Sequence, residues 1–157
     1  MTIEVENEIQ MIKFGKIIGD FLKGGEIIEL IGDIGSGKTT LVKGISEGLR
    51  IDDKINSPSF TILRQYPAKN NITLDHYDFY RLNMAGMIMN ENLKESLDDK
   101  NTVTIIEWSD TIKKLLPADR LKINIIVQPN ESRKLLLNSS GPIGDKLIKE
   151  VCDAYNA

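Results

Sequence analysis

The sequence predicts an α/β protein in which helices cover both faces of a mixed, mostly parallel β-sheet. Two observations indicate this class. Apolar runs typical of strands alternate with amphipathic helical segments along the chain. The late apolar segments follow each other closely, which adds antiparallel strands to the parallel set. The 157 residues are enough for one such domain, 1–157, with three layers.

Each element is predicted from its hydrophobic period and its flanking residues. Alternation over 2–6 predicts an edge strand, and an apolar stripe over 8–22 predicts a helix that Gly24 and Gly25 end. The apolar run Ile27–Ile31 predicts a buried strand, and 39–49 has apolar residues at helical spacing. The remaining predictions are strands over 61–66 and 72–78, an irregular methionine-bearing segment over 83–90, a helix over 91–97, a buried strand over 102–106, a short helix that starts at Ser109 and ends before Pro117, a strand pair over Leu121–Val127 and 134–138, and a closing helix over 145–155.

Composition excludes several classes of protein. Hydrophobic residues make up 41% and charged residues 27% of the chain, which is ordinary for a globular protein and excludes intrinsic disorder. The net charge of −3 predicts no broad basic surface for nucleic acid, although a local basic patch stays open. No apolar run approaches the roughly 18 residues of a membrane span, and the first residues are acidic rather than basic. We therefore expect a cytoplasmic protein that does not associate with membranes.

A glycine-rich loop is the most specific motif in the chain. Residues 32–39, GDIGSGKT, match the pattern G-x-x-x-x-G-K-[ST] between a predicted strand and a predicted helix. Glycines let such a loop turn successive backbone N–H groups toward phosphate oxygens, while Lys38 reaches the β- and γ-phosphates and the Thr39 hydroxyl binds Mg²⁺. The predicted nucleotide-binding residues of this P-loop are Asp33, Ile34, Gly35, Ser36, Gly37, Lys38, Thr39 and Thr40.

A P-loop needs a carboxylate near its metal ion, usually at the end of a neighbouring buried strand. Glu107 directly follows the apolar run that ends at Ile105 and Ile106. An unpaired carboxylate is costly to bury there, which favours a magnesium ligand over a structural residue. A strand-end carboxylate that faces water is the alternative interpretation.

Missing motifs favour ATP over GTP. No lysine has aspartate two positions later, and no aspartate has glycine three positions later, so both guanine-nucleotide signatures are absent. A small-molecule P-loop kinase usually closes an arginine-bearing lid over the phosphates. The five arginines here are scattered singly, which weakens the kinase interpretation without excluding it.

A second polar cluster lies at 75–81. His76 and Asp78 are two residues apart and share one face of a predicted strand. Asp78 is a candidate to position or deprotonate the attacking water, or to hold a metal-bound water, and Arg81 is a candidate to stabilise phosphoryl charge. Periodicity alone leaves open the alternative of a strand end whose polar groups pair with one another.

Four motifs together resemble one family. GDIGSGKTT at 32–40, SPSF at 57–60, HYDFYRL at 76–82 and EW at 107–108 have the order and approximate spacing of the TsaE family, also called YjeE. This resemblance covers essentially the whole chain. It implies a P-loop NTPase domain that binds ATP or ADP with Mg²⁺ and hydrolyses ATP slowly alone. It also implies action on a TsaB–TsaD heterodimer, which transfers a threonylcarbamoyl group to adenosine 37 of tRNAs reading ANN codons. We expect this chain to meet the tRNA indirectly, through these partners, and direct contact stays open.

The resemblance also assigns roles to residues. It implies that Lys38, Asp78 and Glu107 are catalytic and that Thr39 and Glu107 bind Mg²⁺. Trp108 would lie beside the nucleotide, with Arg133 near it and Asn7 a further candidate at the base end. The residues expected in switch or partner roles are Ser57, Pro58, Phe60, Thr61, His76, Tyr80 and Arg81. The methionine-rich segment 83–90 departs from the family, whose members are commonly acidic there.

Two alternatives to this tRNA-modifying ATPase remain at this point. One is a nucleotide-loaded switch whose useful output is binding to a partner, with hydrolysis incidental. The other is a small-molecule P-loop kinase, which the size of the chain and the P-loop favour.

Overall fold

Seven strands form one mixed sheet in a computed structural model of the protein. The structure describes residues 1–58, 61–80 and 87–157. In the helix that begins at Met87, side chains are described from Asn90 onward. Within these ranges no helix is both long and apolar enough to cross a membrane. The elements are β1 (Thr2–Val5), α1 (Glu8–Phe21), β2 (Ile27–Ile31), α2 (Lys38–Gly48), β3 (Leu63–Pro67), β4 (Thr73–Asp78), α3 (Met87–Asp98), β5 (Thr102–Glu107), β6 (Leu121–Val127), β7 (Arg133–Ser139) and α4 (Pro142–Tyr155), with 3₁₀ turns at Ser109–Thr111 and Lys113–Leu115.

The sheet is parallel in its centre and antiparallel at both edges. Its strand order is β1-β7-β6-β2-β5-β4-β3. Strand β2 pairs in parallel with β5 and β6, and β5 pairs in parallel with β4. The outer pairs β1–β7, β6–β7 and β3–β4 are antiparallel. This arrangement confirms the predicted α/β class with a mixed sheet, in which the parallel strands are the central ones.

Helical segments cover both faces of the sheet. Apolar residues of α1, α2 and α4 form one core with β2 and β6, which includes Phe14, Leu41 and Val151. A smaller core on the other face joins α3 and the 3₁₀ turns to β4 and β5, with Leu93 and Leu116 at its edges. Strand β5 is buried along its entire length because it lies between these two layers.

Most element ends lie within two residues of the sequence prediction, and three segments differ by more. The segment between Ser109 and Pro117 forms two 3₁₀ turns rather than one short helix, and Ile112 between them has φ −119° and ψ 9°, outside the helical region. Helix α3 begins at Met87, inside the segment expected to be irregular. Helix α4 begins at Pro142 rather than at residue 145, because proline is well suited to the first turn of a helix.

Candidate nucleotide-binding site

The loop that connects β2 to α2 has the backbone shape of a phosphate-binding loop. Gly35 and Gly37 have φ angles of 77° and 112°, a left-handed region that favours glycine. Helix α2 starts directly after Gly37, and no side chain caps its first N–H groups in the described structure. Uncapped N–H groups and the positive end of the helix dipole together attract anions.

Lys38 is held inside this loop. Its Nζ donates hydrogen bonds to the carbonyl oxygens of Gly32 and Asp33, at 2.8 and 2.9 Å. It also lies 4.8 Å from the centre of the Trp108 ring, within cation–π distance. Burial lowers the pKa of the Lys38 ammonium, while the nearby charges of Glu107, Asp78 and Asp33 act in the opposite direction.

A cavity of about 420 Å³ opens over this lysine. Because β4 and β5 are parallel neighbours, Asp78 at the end of β4 lies opposite Glu107 at the end of β5. Both carboxylates therefore reach the same cavity as the phosphate loop. The cavity is lined by residues that the sequence assigned to nucleotide, metal or switch roles, which are Ile34, Gly35, Gly37, Lys38, Thr39, Thr40, Ser57, Asp78, Tyr80, Glu107 and Trp108.

Glu107 and Thr39 form a donor set suited to Mg²⁺. Both residues line the cavity and carry side-chain oxygen, and Mg²⁺ prefers one or two carboxylates together with phosphate oxygens and water. Among the residues that the structure describes, no cluster of three or more His, Cys, Asp or Glu side chains could hold a metal ion. A donor set of one carboxylate and one hydroxyl leaves most of an octahedral Mg²⁺ coordination sphere to phosphate oxygens and water.

His76 lies in the interior, next to Glu107. Its side chain is fully buried, and its Nε2 is 2.9 Å from Oε1 of Glu107. It is not among the described residues that line the cavity. In this conformation His76 therefore contacts Glu107 and not a surface that a partner can reach.

Trp108 and Tyr80 form one wall of the cavity. Their ring centroids are 4.7 Å apart. The backbone N–H of Tyr80 donates to Oδ1 of Asp78 at 2.9 Å, which ties this wall to the carboxylate. Trp108 has a positive φ of 55°, an uncommon conformation for a bulky residue. The surrounding contacts thus hold the indole above Lys38.

A second, smaller cavity of about 160 Å³ adjoins the other side of the loop. It brings Asn7 and Arg133 together with Gly35, Gly37 and Thr40. Asn7 caps α1 by accepting a hydrogen bond from the N–H of Gln10 at 3.0 Å, and Arg133 Nε donates to the carbonyl of Ser36 at 3.4 Å. Sequence reasoning missed two further residues that line this cavity, Glu8 and Met11. They could have been proposed from the sequence because they lie one and four residues after Asn7, which was already a candidate.

The remaining predicted site residues lie elsewhere or outside the described structure. Asp33 and Ser36 line a different cavity of about 370 Å³, on the side of the loop toward β6. The carbonyl oxygen of Pro58 accepts a hydrogen bond from the exposed Thr61 at 3.0 Å. Phe60, Arg81 and residues 83–86 fall outside the described residues.

A buried ion pair beneath Trp108 was not predicted from the sequence. Glu29 in β2 is 1% exposed, and its Oε2 accepts a hydrogen bond from Arg120 Nε at 2.7 Å. Its Oε1 accepts another from the hydroxyl of Ser109, the residue after Trp108. The available signal was a carboxylate inside the apolar run Ile27–Ile31, because such a residue needs a buried partner.

The fold and this loop together define a P-loop protein, a class built around phosphate binding. A family model described as threonylcarbamoyl adenosine biosynthesis protein TsaE matches residues 5–135. The chain therefore belongs to the TsaE family.

Individual relatives support the same assignment. A Bacillus subtilis protein named tRNA threonylcarbamoyladenosine biosynthesis protein TsaE is 34% identical over 139 residues, which are 87% of this chain and 84% of the relative. A Haemophilus influenzae protein with the same name is 26% identical over 94% of this chain and 95% of its own length. The crystal structure of YdiB from Bacillus subtilis superimposes with a TM-score of 0.82, at 29% identity over 99% of this chain and 96% of YdiB.

Proposed function

We propose that this chain is the Mg²⁺-dependent ATPase subunit of the assembly that adds threonylcarbamoyl to adenosine 37 of tRNAs reading ANN codons. The observation that carries the proposal is the single cavity that Lys38, Thr39, Asp78 and Glu107 share. Membership of the TsaE family supports the pathway. We place its action in the cytoplasm. The ligand of the cavity is ATP or its product ADP.

The residues divide the chemistry among them. The N–H groups at the start of α2 hold the phosphates, and Lys38 neutralises charge that develops on the γ-phosphoryl group. Thr39 and Glu107 hold Mg²⁺, which when bound screens the phosphate oxygens from one another. Asp78 orients the attacking water and accepts its proton. Trp108 excludes bulk water from one side of the cavity.

Lys38 changes partners when a nucleotide arrives. Its ammonium donates to two loop carbonyls in this structure, so a phosphate competes with those carbonyls for the same donors. Because burial lowers the pKa of Lys38, a phosphate that restores a strong counter-charge stabilises the ammonium form. Binding is thereby coupled to a rearrangement within the loop.

The proposed partner is the TsaB–TsaD heterodimer, which contacts the tRNA in place of this chain. The net charge of −3 supports this division, because the chain needs no basic surface if its partners hold the RNA. Ile34 is 73% exposed and Tyr80 49% exposed at the cavity mouth. Exposed apolar side chains beside the nucleotide support an interface whose affinity depends on the nucleotide state.

Two substitutions test the proposal in the purified protein. Lys38→Ala should lower the ATP hydrolysis rate by about 100-fold or more, since it removes a charge that stabilises the transition state. Asp78→Asn should lower the rate by about 10²–10⁴-fold and leave Mg·ADP affinity within a few-fold, because its role is in proton transfer. Rates come from phosphate release and affinities from calorimetry.

Lys43→Ala is the matched control, since Lys43 lies one turn further along α2 and does not line the cavity. It should hydrolyse ATP at the wild-type rate. Normal hydrolysis by Lys38→Ala would overturn the ATPase proposal. Normal hydrolysis by Asp78→Asn would remove Asp78 from its role. If Asp78→Asn lost hydrolysis yet fully supported tRNA modification, the protein would be a binding switch instead.

A further inference from the structure

His76 is the only histidine in the sequence, and its side chain is hydrogen-bonded to the carboxylate of Glu107. It lies within β4, and none of its side chain is exposed. Its Nε2 is 2.9 Å from Oε1 of Glu107, which is itself 3% exposed. The other ring nitrogen, Nδ1, has no hydrogen-bond partner in the described part of the chain. The polar chemistry of this imidazole is therefore directed at Glu107.

The direction of this hydrogen bond follows from its partners. A carboxylate only accepts, so Nε2 carries the hydrogen and donates it to Oε1 of Glu107. With Oε1 engaged, Oε2 is the oxygen that Glu107 offers to a cation. Because both side chains are buried, the bond also fixes the carboxylate against rotation before any ligand arrives.

Packing alone does not account for a histidine at this position. A buried polar ring with one unpaired nitrogen costs more than an apolar side chain of similar size. The neighbouring buried positions Leu74 and Val103 show that this part of the sheet accommodates apolar residues. The compensation for the histidine lies in the hydrogen bond to Glu107.

We infer that His76 is a positioning residue for magnesium, which holds the Glu107 carboxylate in the orientation that binds the cation. The inference rests on the proposed role of Glu107 as a ligand of nucleotide-bound Mg²⁺. It differs from that role because His76 does not line the cavity proposed to hold nucleotide and metal, and it acts through Glu107. Groups that orient a metal ligand in this way typically change metal affinity by about 10–100-fold when they are removed.

The test measures ADP affinity by calorimetry, first in a chelator and then over a series of Mg²⁺ concentrations. His76→Leu should need about tenfold more Mg²⁺ than wild type for its half-maximal effect on affinity. Its ADP affinity in the chelator should stay unchanged, because the phosphate loop is untouched. His76→Gln keeps an N–H donor near the position of Nε2 and should retain the wild-type Mg²⁺ midpoint.

Tyr77→Phe is the matched control on the same strand. It removes a buried hydrogen bond between the hydroxyls of Tyr77 and Ser96, 2.8 Å apart, on the opposite face of the sheet from His76. It should lower thermal stability without moving the Mg²⁺ midpoint. If His76→Leu does not fold, His76→Asn replaces it, because asparagine is too short to reach Glu107 and should show the same shift.

The outcomes separate this inference from the proposed function. A wild-type Mg²⁺ midpoint in His76→Leu or His76→Asn would overturn the positioning role and leave the magnesium role of Glu107 intact. If the Mg²⁺ midpoint of His76→Gln shifted as far as that of His76→Leu, the positioning role would also be overturned, because the N–H donor to Glu107 would then make no difference. If Mg²⁺ did not change the ADP affinity of the wild-type protein, Glu107 would have no role as a metal ligand and this inference would fail with it. The same holds if Glu107→Gln showed the wild-type Mg²⁺ midpoint.

Discussion

Glu29 is a carboxylate inside a central strand of the sheet, and two donors stabilise it there. Burial acts to raise the pKa of Glu29, but hydrogen bonds from Ser109 and Arg120 and the charge of Arg120 outweigh it and leave the pKa below its ordinary value. Since Ser109 follows Trp108, the same contacts fasten the indole-bearing turn to β2. This side-chain cluster therefore supports the wall of the cavity.

Arg120→Leu should lower the free energy of unfolding by about 3–5 kcal/mol at pH 7, because it leaves a charge buried without its partner. The loss should shrink as the pH falls. The pKa of Glu29 is lower in the folded protein than in the unfolded chain. Its charged form therefore stabilises the fold at pH values above the unfolded-state pKa, and this stabilisation is lost as the pH falls through the folded-state pKa. Urea denaturation at pH 7 and near pH 4 measures both quantities.

The control for this prediction is Asp110, which lies in the same 3₁₀ turn as Ser109. Lys113 and Asp110 form an exposed ion pair at 3.4 Å, and Asp110→Ala should cost less than about 1 kcal/mol. A cost for Arg120→Leu that is equally small, or equal at both pH values, would contradict the role given to Arg120.

The contiguous phosphate loop was predictable from the sequence, and two buried side-chain pairs that join residues distant in the sequence were not. The loop 32–39 is contiguous, so its chemistry could be predicted from one stretch of sequence. His76 and Glu107 are 31 residues apart, and Glu29 and Arg120 are 91 apart. Their pairing depends on which strands are neighbours, and hydrophobic periodicity contains no information on strand order.

At the level of elements, α1 and α2 pack with their backbones in direct contact. Four glycines line this interface, two from each helix, which are Gly15, Gly19, Gly44 and Gly48. A Cβ atom on Gly15 would lie 2.5 Å from the carbonyl oxygen of Leu41, and one on Gly44 would overlap the carbonyl of Ile12. The contact fixes the start of α2, and therefore Lys38, relative to Asn7 at the start of α1.

Gly44→Ala should destabilise the protein by about 1–3 kcal/mol, because the added methyl group forces the helices apart. This cost opposes the gain of about 0.5–1 kcal/mol that alanine normally brings to a helix interior. ADP affinity should fall as well, since the phosphate loop moves with α2. Thermal or urea unfolding gives the first quantity and calorimetry the second.

Glu47→Ala provides the comparison, because Glu47 lies on the exposed face of the same helix. It should change stability by no more than about 0.5 kcal/mol and leave ADP affinity unaltered. A stabilised Gly44→Ala variant with normal ADP affinity would show that the close helix contact does not position the loop.

The elements themselves were largely predictable, and most of their ends lay within two residues of the prediction. The stripes of α1 and α2 were found because each has a helical period, and β2 and β5 were found because each is a short, nearly continuous apolar run. The glycine spacing of the helix interface was present in the sequence, but glycine has no side chain to contribute to a hydrophobic stripe. The 3₁₀ turns after Trp108 were missed because their short length leaves no period to detect.

For the whole molecule, the sheet order brings the functional groups to one edge. Strands β2, β5 and β4 are parallel neighbours, so the phosphate loop, Glu107 and Asp78 all follow carboxyl ends at the same side of the sheet. Ligands of open α/β sheets bind at such edges. The exposed Ile34 and Tyr80 lie beside the cavity, where the proposed partner would contact the nucleotide-binding site.

ATP hydrolysis by the purified chain, alone and with its organism's TsaB–TsaD pair, tests the central claim most directly. Reactions with and without tRNA complete the comparison, and Lys38→Ala gives the background rate in each. We expect slow hydrolysis by the chain alone and a clear rise when the pair is added. A rate that is the same with and without the pair would contradict an ATPase whose cycle is coupled to the tRNA-modifying assembly.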